Sequence, residues 1–371
     1  MIRRITICGL GLIGGSLAMA WKRTRPELHL TAFDRRDVLV KARELGVVDA
    51  TSEDVAEAVA QADLVVLAAP LQGILYLIEE IGPHLQPGTR VTDVGGVKQP
   101  ILAHAEALLP DTVTFIGGHP MAGSERRGLA NADPFLFENA TYVLCPPRTL
   151  TTQTLQTQHA DFLELIRALG ARILILDATR HDTIAAAVSH LPQLLAVLLV
   201  NTAAELSKGE DAFFRLAAGG FRDMTRIASS PFDLWRDVLF ANEGPLLDAL
   251  GHFAANLQRL RNRLIEEDAE ALGEAFEQAR QLRERIPRDS KGFLHPLADV
   301  YVRIEDRPGA LFRITQALYE AGLNIQDIEL LKVREGTGGT FRLGFATEAD
   351  ADLACQVLRK ANIEARKPEE A

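Results

Sequence analysis

The run Gly9-Leu10-Gly11-Leu12-Ile13-Gly14 closes a strand-like segment, Ile5–Gly9, and opens a segment of helical character. In that context each glycine has its own reason. Gly9 permits a tight turn, Gly11 lets the backbone approach a pyrophosphate, and Gly14 allows helix and strand to pack closely; the helix N-terminus at Leu12 and Ile13 offers free N–H donors to an anion. Asp34 closes the next strand, 20 residues beyond Gly14. A carboxylate there accepts the ribose hydroxyls and repels a 2′-phosphate, so the cofactor expected is NAD rather than NADP, although Arg35 and Arg36 beside it are able to pair with that phosphate.

Outward from this turn, between Ile2 and Asp177, short apolar runs alternate with helical stretches, the pattern of βαβ units in a parallel sheet covered on both faces. The strands expected are Ile5–Gly9, Leu30–Asp34, Leu64–Ala69, Val91–Val94, Thr114–Gly117, Tyr142–Cys145 and Ile173–Leu176. Residues 1–177 therefore read as an α/β domain, a Rossmann-type doubly wound parallel sheet. No strand-like run follows until Val300, which predicts an all-helical middle domain over 178–288. In it Leu250, Phe253, Leu257, Leu260 and Leu264 recur at gaps of three and four and so share one narrow helical stripe. Such a stripe fits a core helix or a subunit interface; a homodimer is the expectation.

The polar, breaker-rich Pro287-Arg288-Asp289-Ser290-Lys291-Gly292 reads as linker, placed over 289–298. Beyond it Val300–Glu305, a helix from Pro308, Ile325–Val333, the turn Glu335–Gly339, Thr340–Phe345, a helix from Ala349 and Ile363–Arg366 spell βαββαβ, a ferredoxin-like module over 299–371.

Composition narrows the function. A chain of 371 residues, 47% of them hydrophobic, supports two or three globular domains. Its net charge of -10, with both signs spread along the chain, repels a phosphate backbone and offers anionic membranes no basic patch, so neither nucleic acid nor a membrane is an expected partner. Cys8, Cys145 and Cys355 form no CxxC pair, which suggests a reducing, cytoplasmic setting and no thiolate metal site. Arg3-Arg4 and the apolar run ending in Ala18-Met19-Ala20 imitate a secretory leader, but four glycines interrupt that run at the spacing of the phosphate turn. The apolar stretch Ile184–Val200 carries His190, Pro192 and Gln193; at 17 residues it is too short and too polar to span a bilayer and reads as a buried helix.

In an open α/β sheet the ligand lies beyond the carboxyl ends of the strands. Three such ends stand out: Leu67-Ala68-Ala69-Pro70, Thr92-Asp93-Val94-Gly95-Gly96-Val97-Lys98, and Gly117-Gly118-His119-Pro120-Met121-Ala122-Gly123-Ser124-Glu125. Ala69, Pro70, Gly95 and Gly96 fall against the cofactor. His119 is the natural proton acceptor, because removing a hydride from a carbinol carbon leaves positive charge unless the hydroxyl proton is taken; the alternative is a loop histidine satisfied by local backbone. The helical domain adds His190, in Ser189-His190-Leu191-Pro192-Gln193, which is either a satisfied core histidine or a site residue. It also adds Arg226, in Gly219-Gly220-Phe221-Arg222-Asp223-Met224-Thr225-Arg226. Arg226 is either a structural ion pair with Asp223 or a guanidinium fork for a substrate carboxylate.

Taken in order and spacing, GLGLIGGSLA at Gly9, DVGGVK at Asp93, GGHPMAGSE at Gly117, SHLPQ at Ser189, GGFRDMTRIA at Gly219 and Leu234-Trp235-Arg236-Asp237 resemble the prephenate dehydrogenase family of tyrosine biosynthesis, over nearly the whole chain. The resemblance implies oxidative decarboxylation of prephenate to 4-hydroxyphenylpyruvate and carbon dioxide, with NAD taking the hydride. It matches His119 to the family's catalytic histidine, Arg226 to the arginine that holds a substrate carboxylate, and His190 to the histidine near the side-chain carboxylate. Glu125 and Asp223 fall on acidic residues that shape or gate the pocket, and Ser124 is expected beside the substrate. Two positions depart from the family pattern. Gly96 stands where a serine often orients the catalytic histidine, leaving water or Ser124 to substitute. Gln193 stands where a second histidine is common, which keeps arogenate open as a substrate.

The C-terminal module resembles an ACT domain, with Asp306-Arg307-Pro308-Gly309-Ala310-Leu311 at the first strand-to-helix turn and Gly322-Leu323-Asn324-Ile325 after the helix. Asp306 is placed to cap that helix, Pro308 suits its first turn, and Gly309 leaves the backbone open to a ligand. The resemblance implies an amino-acid effector, tyrosine, held near Asp306, Pro308, Gly309, Ala310, Leu311, Asn324 and Ile325. Two rivals stand beside this reading. A 3-hydroxy-acid dehydrogenase would share the architecture but relies on a lysine where this chain offers His190 and Arg226; a non-catalytic amino-acid sensor would not retain His119.

Overall fold

The computed structural model describes residues 1–123, 126–285, 297–305, 307–334 and 338–367. Ser124, Glu125, Asp306, the Pro287–Gly292 linker and most of the Glu335–Gly339 turn lie outside the described residues. The chain divides into two compact units, Met1–Arg285 and Ile286–Ala371.

The first unit is built on eight strands: β1 Arg4–Cys8, β2 His29–Phe33, β3 Ala50–Ser52, β4 Leu64–Leu67, β5 Arg90–Asp93, β6 Thr114–Pro120, β7 Thr141–Cys145 and β8 Arg172–Ile175. They lie in the order β3-β2-β1-β4-β5-β6-β7-β8. The order reverses between β1 and β4, and the glycine turn leaves β1 at that crevice. Every residue of β4 (Leu64, Val65, Val66, Leu67) is buried, as a strand covered on both faces requires. One face packs Leu17, Trp21, Phe162 and Ile166; the other packs Ile74, Ile78 and Ile101. The buried Trp21 indole donates to the Leu165 carbonyl at 3.0 Å, joining the helix Leu12–Thr24 to Ala160–Arg167.

Two expectations about this sheet are corrected. β7 runs antiparallel to β6: among the described residues the chain between them holds only the short 3-10 turn Leu129–Asn131, whereas a parallel return needs a long crossover, usually a helix. β3 went unread because its three residues, Ala50-Thr51-Ser52, are half-buried at the sheet edge and form no apolar run.

Helices make up the rest of this unit. Ala178–Ser207 is continuous over 30 residues, long and apolar enough by length and composition to cross a bilayer. The segment Ile184–Val200 is thus part of a longer helix than its apolar run indicated, and it is buried on one side only: Ala185, Ala186, His190, Gln193 and Ala196 are buried, whereas Ile184, Val188 and Leu198 are exposed. Its middle, Ala186–His190, is a π-helical turn. Pro192 follows within the next turn, and lacking an N–H it cannot supply the regular α-helical bond. Phe253, Leu257, Leu260 and Leu264 likewise lie exposed along the helix Glu243–Ile265, which removes the core-helix reading of the stripe within this chain.

The second unit has strands β9 Ala298–Ile304, β10 Asp327–Arg334, β11 Gly338–Phe345 and β12 Ala365–Arg366, with helices Ala310–Glu320 and Glu348–Lys360. The order β10-β11-β9-β12 is antiparallel throughout, the ferredoxin-like βαββαβ arrangement. Val300, Val302, Ile314, Leu318, Leu343 and Leu358 form its core. The first helix starts at Ala310 rather than Pro308, because its N-cap Gly309 has φ +82°, in the left-handed region outside helical geometry.

Candidate active site

The three glycines of the turn meet three different constraints. Gly9 has φ +103°, and a Cβ there would lie 2.4 Å from the Ala68 carbonyl oxygen. A Cβ on Gly14 would lie 1.9 Å from the Gly9 oxygen, so helix and turn touch backbone to backbone. On Gly11 a Cβ would meet nothing within 4 Å. Only the middle glycine faces open space, where a phosphate would approach the free N–H groups of the helix Leu12–Thr24. Asp34 sits at the end of β2, its carboxylate fixed by the Leu10 N–H at 2.6 Å and the Arg35 N–H at 2.7 Å. Arg35 and Arg36 point to acidic neighbours, Asp37 at 3.7 Å and Glu53 at 3.9 Å.

At the ends of β5 and β6 the backbone is tied by a buried ion pair. Lys98 and Asp93 are both fully buried and bonded to each other. Lys98 Nζ also donates to the Gly118 carbonyl at 2.6 Å, while Asp93 accepts from the Gly118 N–H at 3.1 Å and the Gly95 N–H at 2.8 Å. One pair thereby locks Gly95-Gly96 against Gly118-His119. Breaking such a pair by removing one partner leaves an uncompensated charge in the interior.

Beyond these strand ends lies a cleft of about 550 Å3 lined by Gly96, His119, Ser189, His190, Gln193, Arg226 and Trp235, among others. His119 comes from β6 and His190 from the π-helical turn. Arg226 opens the 3-10 turn Arg226–Ser229. His119, His190 and Arg226, the first and last more than 100 residues apart, thus line one cleft. Gly96 also lines the cleft, and a Cβ on it would lie 3.9 Å from His119 Nε2.

The His119 ring is held from behind. Its Nδ1 lies 2.8 Å from His181 Nε2, and His181 Nδ1 lies 2.7 Å from Asp182 Oδ1. Asp182, fully buried, also accepts the Lys98 N–H at 2.7 Å and the Gln99 N–H at 2.8 Å, at the start of the helix Gln99–Leu108. Burial first, then the nearby Lys98, His181 and His190, hold the His119 imidazole well below its ordinary range, so the ring is neutral and able to accept a proton. His190, buried against the edge of Trp235, is pushed down to about 4, mainly by burial and against the opposing effect of Asp182.

Other expected residues fall elsewhere. Among the described residues no ion pair joins Arg226 to Asp223, which leaves the guanidinium exposed at the cleft and sets aside the structural-pair reading. Asp223 is exposed on the helix Gly219–Thr225, outside the cleft lining. Gln193 is buried and donates to the Ile227 carbonyl at 3.0 Å, holding the turn that carries Arg226. In the second unit a cavity of about 370 Å3 is lined by Gly309, Ala310 and Leu311 together with Phe312, Leu330 and Phe341. Asn324 and Ile325 are not part of that lining.

The sequence reading missed Lys98, His181, Asp182 and Asn242. A signal existed for the first three: Lys98 ends the strand-end segment Thr92–Lys98, and His181-Asp182 is an adjacent ionisable pair just before an apolar run. Nothing local pointed to Asn242.

Comparison with known proteins agrees with this architecture. Residues 17–175 match the description "Prephenate dehydrogenase, nucleotide-binding domain", residues 177–278 "Prephenate dehydrogenase, dimerization domain", and residues 298–354 "ACT domain". A prephenate dehydrogenase of Bacillus subtilis is 34% identical over 356 residues, 95% of each chain. A cyclohexadienyl dehydrogenase of Zymomonas mobilis is 32% identical over 291 residues, 78% of this chain and 98% of that one. The crystal structure of the prephenate dehydrogenase of Aquifex aeolicus, in complex with hydroxyphenyl propionate and NAD+, superposes with a TM-score of 0.71 at 27% identity, covering 77% of this chain and 99% of that one. The dinucleotide turn, the cleft between sheet and helices, and the matched domains in their order together place this chain in the prephenate dehydrogenase family.

Proposed function

We propose that the chain catalyses the NAD-dependent oxidative decarboxylation of prephenate to 4-hydroxyphenylpyruvate and carbon dioxide, as a cytoplasmic homodimer inhibited by tyrosine. The observation that carries the reading is the convergence of His119, His190 and Arg226 on one cleft beside Gly96. The cofactor fits the turn: Gly11 leaves room where a side chain would block a phosphate, and the Asp34 carboxylate stands at the end of β2. Bound NAD supplies a hydride acceptor for the ring carbon that bears the substrate hydroxyl. His119 accepts the hydrogen bond of that hydroxyl, and so stabilises the charge that develops as hydride leaves. Arg226 binds one carboxylate through its fork and His190 donates to the other. Loss of the ring carboxylate as carbon dioxide then makes the ring aromatic.

Arogenate is the second reading, favoured by Gln193: its amide is engaged with Ile227, so the pocket has a different polar group where a histidine is common in the family. Formation of NADH from prephenate and from arogenate, each with NAD and NADP, decides among these. Turnover of neither substrate removes the assignment.

The exposed stripe Phe253–Leu264, in the segment matching a dimerization domain, supports a two-fold assembly. The cavity at Gly309, Ala310 and Leu311 supports effector binding in the ACT segment. We keep the division into 1–177, 178–288 and 299–371, joined through 289–298, as part of this proposal. Adding tyrosine to the full chain and to a truncation ending at Arg285 tests the sensor; equal responses remove that role from the second unit.

A further inference from the structure

Asp182 holds two imidazoles at once, through different atoms. Its carboxylate collects the Lys98 and Gln99 backbone N–H groups and lies 2.7 Å from His181 Nδ1. An oxygen pair already accepting two backbone donors is an acceptor toward the ring as well, so His181 Nδ1 carries the proton. A His181 ring holding that one proton offers a lone pair at Nε2, and His119 Nδ1, 2.8 Å away, is placed to donate to it. The one nitrogen left on the neutral His119 ring, Nε2, is unprotonated, and it is the atom beside Gly96.

The Asp182 backbone carbonyl acts separately. It accepts from Asn242 Nδ2 at 2.8 Å, and the same Nδ2 lies 3.1 Å from His190 Nδ1. An amide nitrogen has two hydrogens and no lone pair to offer, so His190 Nδ1 is the acceptor and its Nε2 keeps the hydrogen. Rotating the Asn242 amide by half a turn would set its oxygen against the Asp182 carbonyl, oxygen to oxygen; the carbonyl fixes the orientation. Asn242 is 1% exposed, and its Oδ1 has no hydrogen-bond partner among the described residues.

We infer that Asp182, acting through His181 and Asn242, is a positioning residue that gives the two histidines of the cleft opposite tautomers: His119 bare at Nε2, as a proton acceptor, and His190 protonated at Nε2, as a donor. Neither imidazole has an intrinsic preference strong enough to guarantee this. Two rings in one pocket need separate instructions if one is to take a hydroxyl proton and the other to hold a carboxylate. The chemical roles rest on the function proposed above, whereas the tautomers do not.

The test is nitrogen NMR of the full chain labelled with 15N-histidine, resonances being assigned through His119→Gln and His190→Gln. For His119 the expected spectrum has a protonated Nδ1 and a bare Nε2; for His190 the reverse. A protonated Nε2 on His119, a bare Nε2 on His190, or rapid averaging in both overturns the inference, whatever the substrate proves to be. Two variants extend the test to activity. His181→Phe keeps a ring but removes the acceptor, and is expected to average the His119 nitrogens and lower kcat about 100-fold with KM little changed. Asn242→Leu is expected to average only the His190 nitrogens and raise KM about tenfold with kcat little changed. If either variant loses activity while its histidine keeps the native tautomer, the positioning role is wrong.

Discussion

Gln193 and Ile227 are joined across the cleft wall by a single hydrogen bond, amide to carbonyl, at 3.0 Å. Arg226 is the residue before Ile227, so the bond sets where the guanidinium begins. Gln193→Ala is expected to raise KM about fivefold, with a small change in kcat, because a lost neutral hydrogen bond is a loss of about 1 kcal/mol. Steady-state kinetics checks this, and an unchanged KM would mean that the turn is held by other contacts.

Arg226→Ala removes the fork itself. KM is expected to rise roughly 10- to 100-fold, the range for a charged hydrogen-bond partner, with the fold intact because the side chain is exposed. A far larger loss in kcat than in KM would move Arg226 from binding to chemistry.

Gly11 and Gly14 should separate cofactor binding from folding. Gly14→Ala drives a methyl group into the Gly9 oxygen; the overpacking costs about 2–3 kcal/mol and lowers Tm by roughly 5–10 °C. Gly11→Ala meets nothing in the protein, so Tm is expected to stay within about 2 °C while the Kd for NAD rises more than about tenfold. Equal behaviour of the two variants by calorimetry and titration would contradict the distinct roles.

The pH response follows from the buried histidines. His119 is held well below the ordinary imidazole range by burial, with Lys98, His181 and His190 facing it, and His190 is lowered from 6.5 to about 4. For a histidine whose folded value is depressed, stability is full above the unfolded value and declines as pH falls toward the folded one. Tm is therefore expected to decline as pH is lowered from 6.5 toward 4, whereas kcat/KM should hold level from neutral pH down to the onset of unfolding. An acid limb of kcat/KM centred at or above 6.5, in protein that remains folded, would show that His119 titrates as an ordinary imidazole.

Leu257 and Leu264 are 55% and 61% exposed. Glutamates at both positions are expected to convert a dimer to a monomer in light scattering, since burying two unpaired carboxylates is strongly unfavourable. A dimer that survives both charges must be held together elsewhere.

The glycine turn was legible because each of its glycines answers to backbone geometry, which a sequence pattern carries directly. His119 and Arg226 stood out in the sequence because one ends a strand-like run at a GGHP segment and the other follows a glycine pair; the structure brings both to one cleft. Asp182 and Asn242 were not, since their importance lies in contacts between residues 60 apart. The same limit explains β7: its apolar residues fit a strand of either direction, and its direction is set by its pairing with β6. The exposed residues of Ile184–Val200 fell within a stretch read as a buried helix because apolar composition alone does not say which side of a helix is covered.

The π-helical turn Ala186–His190 divides that long helix into two parts, and it sets their relative phase. A regular helix advances about 100° per residue, so deleting one residue here would rotate the whole C-terminal half by roughly that azimuth. Gln193 would swing out of the cleft wall, and Leu198 would leave the outward apolar face. The wide turn keeps the cleft wall and the outward apolar face in step along one shaft, so a change of length here would misalign both while a change of residue need not.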